Sequence, residues 1–325
     1  MLKIGPYQFA NPLVLAPMAG VTDAVYRKLC REQGAAYTLA EMVASKKQLW
    51  ESKKSSTRHV DPQDPEPRAV QLIGTSPDEL AEAAVWQVSQ GAQIIDLNMG
   101  CPAKKVCNVA AGSALMADPS RVAEIFQTVS KAVDVPVTVK TRTGTDAENK
   151  NALQIALLAQ EHGLQAISIH GRTREDKFNG CAEYDTIRNV KRSVQIPVIA
   201  NGDICSPEQA AFVLKYTACD AIMIGRASQG NPWIFREINH YLKHRTKLAG
   251  PSLQEKRRII LQHLRGLYEL YGDSHGVRIA RKHLGWYAQS IPDGTKLRKA
   301  FNQLTEHHRQ LQLVEDYFNH NTTSN

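Results

Sequence analysis

Cys101 stands in the run Asn98-Met99-Gly100-Cys101-Pro102, where Gly100 and Pro102 favour a tight turn directly after an apolar stretch. A free cysteine is usually a packing residue, but a thiol lifted on such a turn beside an amide is a candidate acid or nucleophile. The same placement recurs along the chain. Further apolar runs end at Met18, Glu41, Gln71, Lys140 with Arg142, His170 with Arg172, Asn201 with Asp203, and Gly225 with Arg226. One polar residue after one strand is a solvated loop. Polar groups closing seven of eight such runs indicate a common site.

Lys140 follows VPVTV, so a surface position is a poor reading. It could form a Schiff base in an aldolase, or set a cation against a cofactor that gathers negative charge, such as reduced flavin. The residues alone leave both open. Ala200-Asn201-Gly202-Asp203 and Gly225-Arg226 close the last two runs with glycine-opened backbone, and Arg226 adds a forked charge. That pairing suits a phosphate held between two loops of a barrel. No His or Cys partner lies at ligand spacing from Cys101, so no metal centre is expected.

A scaffold must bring these run ends together. The apolar runs predict strands over 13–18, 37–42, 68–74, 93–99, 135–140, 165–170, 196–201 and 221–225, each continuous enough to be covered on both faces. Amphipathic stretches predict helices over 76–90, 119–132, 149–162 and 207–216, with Asp118-Pro119 and Ser206-Pro207 as cap and first-turn signals. Eight strand–helix units make a (β/α)8 TIM barrel the economical architecture. A doubly wound open sheet is the alternative, weakened by APMAG where GxGxxG would stand. Residues 46–67 read as an extended loop. After the break at Gly250-Pro251, helices are predicted over 253–271, 278–289 and 295–319. The expected division is a barrel over 1–242 and a small basic helical domain over 243–325.

The net charge of +8 is unevenly spread: residues 243–325 hold 14 Lys and Arg against 7 Asp and Glu, and residues 1–242 hold 26 against 25. A nearly neutral body with a basic appendage suits a polyanionic partner. Six cysteines without a CxxC pair point to reduced thiols. The start lacks a secretory pattern and no run is long enough to span a bilayer, so a cytoplasmic, membrane-free protein is expected.

With Ala16-Pro17-Met18-Ala19-Gly20, Gln71-Leu72-Ile73-Gly74, the DLNMGCPAKK run over 96–105, Lys140-Thr141-Arg142, His170-Gly171-Arg172-Thr173-Arg174, the IANGD run ending at Asp203, Met223-Ile224-Gly225-Arg226 and the RIARKH run over 278–283, the chain resembles the tRNA-dihydrouridine synthases. It is most similar to their bacterial B subtype, over nearly its whole length. The resemblance implies an FMN-binding barrel, a helical domain that holds tRNA, and NADPH as electron donor. By position, Ala16, Pro17 and Met18 would back the flavin ring, and Gln71 and Lys140 would bond its polar edge. Asn201, Gly202, Asp203, Gly225 and Arg226 would enclose its phosphate, with His170 nearby. Cys101 would be the proton donor. Asn98 and Arg142 would meet the substrate uracil, Arg172 would also bind the substrate, and Arg278, Arg281 and Lys282 of the basic tail are candidates for the RNA backbone. A monomer acting on a D-loop uridine is expected.

Two places depart from the subtype's pattern: Cys107, Asn108, Val109 and Ala110 replace polar or basic residues, and Thr145 stands where an aromatic is common. Both bear on local RNA contacts. The competing readings are an FMN barrel on a free pyrimidine, resembling dihydroorotate dehydrogenase, which gives no reason for a basic tail; the Lys140 aldolase; and an RNA-binding protein on a barrel without catalysis.

Overall fold

A computed structural model describes residues 2–50, 57–60, 64–107 and 110–322. A short antiparallel hairpin, β1 (Lys3–Ile4) and β2 (Tyr7–Gln8), opens the chain. Eight strands follow: β3 (Leu13–Leu15), β4 (Tyr37–Ala44), β5 (Ala69–Ile73), β6 (Ile94–Met99), β7 (Val137–Arg142), β8 (Ala166–His170), β9 (Val198–Asn201) and β10 (Ala221–Ile224). All pair in parallel, and β10 joins β3 to close the barrel, as expected. The open-sheet alternative is excluded.

The strands alternate with a period of two. In β6 to β8, Ile95, Leu97, Val137, Val139, Ile167 and Ile169 face outward into the large apolar cluster shared with the helices. Ile94 and Ala166 belong instead to an inner cluster, which the hairpin's Leu2 and Ile4 and the neighbouring Phe9 complete. Further along the same inner face the residues turn polar. Gln71, Asp96 and Thr138 stand side by side in register, and one step onward Asn98 pairs with Lys140. Arg142 then pairs with His170, and His170 with Asn201. The fold thus plugs one end of the barrel with apolar groups and gathers its inward polar groups at the other.

The outer layer holds α1 (Ala24–Glu32), α2 (Pro77–Ser89), α3 (Lys104–Cys107), α4 (Pro119–Ala132), α5 (Ala152–Glu161), α6 (Asp185–Ser193), α7 (Pro207–Thr217) and α8 (Ile234–His244). The caps act as their sequences suggest: Asp118 accepts from Arg121 N at 3.0 Å and Ser206 from Gln209 N at 3.2 Å.

Beyond it lie α9 (Leu253–Tyr287), α10 (Gly294–Gln303) and α11 (His307–Thr322). The two helices expected over 253–271 and 278–289 form a single element broken at Gly272, whose φ of +71° is left-handed. The single helix expected over 295–319 is two, because Leu304 is extended and α11 turns back onto α9. Buried Gln310 fastens that return, accepting from Tyr268 Oη at 2.8 Å. Ile259, Leu264, Leu284, Phe301, Val314 and Phe318 form the core of this part, and Leu29 and Trp233 of the barrel join it. At Gly266 α9 passes so close to α1 that a Cβ would lie 2.6 Å from Val25 Cγ1. Among the described residues, no helix is long and apolar enough to cross a membrane.

Candidate active site at the barrel mouth

A cavity of about 780 Å³ opens where the polar strand ends converge. Cys101, Asn98, Ala16, Pro17, Met18, Gln71, Lys140, Arg142, His170, Asn201, Gly202, Asp203, Gly225 and Arg226 all line it.

Hydrogen bonds order one wall. Asn98 Oδ1 accepts from the backbone N–H of Gly100 at 3.2 Å and of Cys101 at 3.0 Å, and so holds the turn that carries the thiol. Asn98 Nδ2 donates to Gln71 Oε1 at 2.7 Å, and Gln71 Nε2 donates to Asp96 Oδ2 at 2.7 Å. Ser113 Oγ donates to the Cys101 carbonyl at 2.9 Å. Burial pushes the Cys101 thiol above its ordinary range, so it is protonated at neutral pH. Beside it, Lys140 Nζ donates to Asn201 Oδ1 at 3.2 Å, and Asn201 Nδ2 to the Met223 carbonyl at 2.7 Å. Burial, reinforced by Arg142, lowers Lys140 to about 8. Burial and the cations Lys140, Arg142, Arg172 and Arg226 lower His170 to about 2, so it is neutral at all ordinary pH.

The three arginines of the mouth differ in what they are free to do. Arg142 is buried, with Nε on the Gly100 carbonyl at 2.8 Å and Nη1 on the Thr173 and Lys177 carbonyls at 2.8 Å each. Its Nη2 has no partner among the described residues. Arg226 is half exposed and reaches Asp203 Oδ1 at 3.1 Å. Arg172, expected at the substrate, does not line the cavity. Its guanidinium grips both Asp203 oxygens, at 2.9 and 2.7 Å, and the carbonyls of Asn179 and Gly180 at 2.8 and 2.6 Å. Here it holds Asp203, whose backbone is left-handed (φ +48°).

The tail residues also divide. Arg278 is exposed. Arg281 donates to the Leu304 carbonyl at 3.1 Å, inside the elbow between α10 and α11, and Lys282 Nζ donates to the Gly20 carbonyl. Gly20 belongs to the loop that walls the cavity, and its N–H donates to Glu41 Oε2 at 2.6 Å. Both side chains, expected on RNA, are engaged within the protein in this structure. Of the departures from the subtype's pattern, Thr145 is buried and bonded to Asp146. Cys107 is half buried, and Asn108 and Val109 lie outside the described residues.

The sequence pattern of the family described as Dihydrouridine synthase (Dus) matches residues 14–322. The chain belongs to the dihydrouridine synthase family. Proteins named tRNA-dihydrouridine synthase B are 54% identical in Pseudomonas putida over 98% of this chain and 94% of the relative. The figures are 53% in Klebsiella pneumoniae, over 98% and 99%, and 52% in Shewanella oneidensis, over 98% and 98%. The chain therefore falls in the B subtype and is an enzyme of this family. Among solved structures, a histamine dehydrogenase from Rhizobium sp. 4-9 is 14% identical with a TM-score of 0.56. The match covers 81% of this chain and 50% of that longer one, and it supports the barrel fold alone.

Membership in the synthase family removes the reading of Lys140 as an aldolase nucleophile. It also shows what sequence reasoning passed over. Phe178, 54% exposed, overhangs the mouth with the guanidinium groups of Arg142 and Arg226 5.6 and 5.1 Å from its ring centre. Its signal was a phenylalanine in the polar run EDKFNG. Asp96 was the other omission, a lone carboxylate inside an apolar strand.

Proposed function

We propose that this enzyme reduces the C5–C6 double bond of a D-loop uridine in tRNA, with FMN at the barrel mouth and NADPH as electron donor. The carrying observation is the convergence of a protonated thiol, the half-buried Lys140, and Arg142 and Arg226 on one cavity in a chain of this family. The residues suit FMN. At Gly202 a Cβ would lie 2.6 Å from Ala182 Cβ and 3.0 Å from His170 Cδ2, so only glycine lets the backbone lie this deep. With Gly225 and Arg226 it offers amides and a fork to a phosphate. Lys140 and Gln71 are placed for the ring's polar edge, and Ala16, Pro17 and Met18 for its face. The Asp203 side chain carries no donor for a phosphate and acts by aiming Arg226.

FMN held by these residues would supply the hydride for uracil C6. The chain's own residues do the rest. The Cys101 thiol gives its proton to C5 and regains one from solvent. Asn98 fixes the turn that carries the thiol, while Arg142 Nη2 is the free donor for a uracil carbonyl. Phe178 offers a stacking face to a base turned out of the RNA, an unstacking that costs about a few kcal/mol. Arg278, with the exposed Arg298 and Lys299, serves the RNA backbone. The deciding test incubates the protein with NADPH and unmodified tRNA and maps dihydrouridine. Reduction of free uridine at the same rate would overturn the RNA reading.

Two further outcomes follow. Above about 8 the Lys140 amine loses its charge in the ligand-free protein. Affinity for the anionic cofactor should therefore fall as pH rises through that value, and Lys140→Arg, charged throughout, should flatten the profile. Quenching of flavin fluorescence on binding reads both, and a flat wild-type profile would remove Lys140 from the cofactor. In the tail, Arg278→Ala should reduce the slope of log affinity for tRNA against log salt by about one. Lys282→Ala should leave that slope unchanged. It should instead lower the melting temperature by about 3 °C, as expected for losing roughly 1 kcal/mol in a domain of this size.

A further inference from the structure

We infer that Asp96 is a positioning residue for the proton donor: from inside the barrel it sets the direction of the Gln71 amide and, through Gln71 and Asn98, the turn that presents Cys101. The inference rests on Cys101 as the proton donor. An amide side chain has a donating and an accepting end of nearly the same shape, so each can sit either way round until a neighbour decides. Asp96 decides because an ionised carboxylate only accepts. It is 1% exposed, and Thr138 Oγ1 donates to its Oδ1 at 2.6 Å while Gln71 Nε2 donates to its Oδ2 at 2.7 Å. Gln71 Oε1 must then face Asn98, whose Nδ2 donates to it at 2.7 Å. Asn98 Oδ1 is thereby left for the N–H groups of Gly100 and Cys101, at 3.2 and 3.0 Å.

Reversing Gln71 would set Nε2 against the Asn98 Nδ2. Reversing Asn98 as well would aim an NH₂ group at two backbone N–H groups. Neither arrangement leaves the turn held. The geometry arises from the strands themselves: Asp96 and Asn98 share the inner face of β6 two residues apart, and Gln71 is the register partner of Asp96 on β5. Burial raises Asp96 to about 6, and the Thr138 and Gln71 hydrogen bonds, with Lys140 on the next strand, keep it from rising further, so the carboxyl titrates below neutrality.

The test compares Asp96→Leu, which offers no acceptor, with Asp96→Asn. Asparagine can give its oxygen to Gln71 and its nitrogen to the Thr138 hydroxyl, and so keeps the direction. In the FMN-free protein, iodoacetamide labelling resolved by peptide should show Cys101 labelled several-fold faster or slower in the leucine variant only. The exposed Cys181, which does not line the cavity, serves as the internal reference. With FMN and saturating tRNA, the leucine variant should lose about tenfold to a hundredfold in kcat with little change in KM, and asparagine should restore most of it. If the leucine variant is not recovered folded, Asp96→Ser, too short to reach Gln71, takes its place. Wild-type labelling and turnover without an acceptor at 96 would overturn the inference, as would an asparagine variant as impaired as leucine. Should Cys101 prove dispensable for turnover, the proposed reaction fails, while the labelling comparison still reports on the turn.

Discussion

Cys101→Ala is expected to bind FMN like the wild type and to lose about 10²- to 10⁴-fold in turnover, the range for removing a placed general acid. The turn survives the change, because Asn98 and Ser113 hold it through backbone atoms of residues 100 and 101 rather than through sulfur. The thiol is chemically suited because burial pushes it above the ordinary thiol range and keeps it protonated, while a thiol remains a far better acid than water or an alcohol. Cys101→Ser should therefore stay severely impaired although it preserves shape. Flavin absorbance and a single-turnover assay on unmodified tRNA separate the two properties. An alanine variant that is yellow and fully active would remove the thiol from the chemistry. One that is colourless would assign it to the cofactor site instead.

The barrel was legible because its strands need apolar groups on the helix-facing side for their full length, while the inner face changes character only near the mouth. Hence β6, expected over 93–99, is found at Ile94–Met99, with Asn98 at its polar end. Two-residue strands such as β1 and β2 carry no period to read. The elbow at Leu304 was illegible for a different reason. It contains no glycine or proline, and what stabilises it is tertiary: Arg281 donates to the Leu304 carbonyl and Gln310 lies buried beneath.

The site was legible as a set of residues and less so as a set of roles. A strand-end position says that a charge lies near the mouth but not which way it faces. Arg142 and Arg172 look alike in VTVKTR and SIHGR, yet the first lines the cavity and the second turns behind it onto Asp203. Lys282 was assigned to RNA because it sits in a basic helix, whereas a loop 262 residues away in sequence takes its ammonium group. Asp96 did leave a trace, since a carboxylate within an apolar strand is rarely buried unless paired.

Arg172→Met should unfold at a temperature lower by about 5–10 °C and bind FMN roughly tenfold to a hundredfold more weakly, because what it leaves behind is a carboxylate without its main partner. Arg172 is 3% exposed and Asp203 30%, so water compensates only part of the loss, and about 2–3 kcal/mol of destabilisation is expected rather than the full value for a buried pair. The effect on the cofactor is electrostatic. With Arg172 present, its guanidinium and that of Arg226 hold Asp203 below the usual carboxylate range and neutralise it. Without Arg172 the carboxylate competes with the phosphate for Arg226 and repels it. Arg172→Lys should recover little, since one ammonium cannot span both carboxylate oxygens and two carbonyls. Combining Arg172→Met with Asp203→Asn should restore part of the FMN affinity, because the unpaired charge is then gone. Thermal melts and flavin titrations of the wild type and the three variants, with tRNA binding measured alongside, decide the matter: if Arg172→Met weakens only the RNA while melting and FMN binding stay at wild-type values, Arg172 faces the substrate after all.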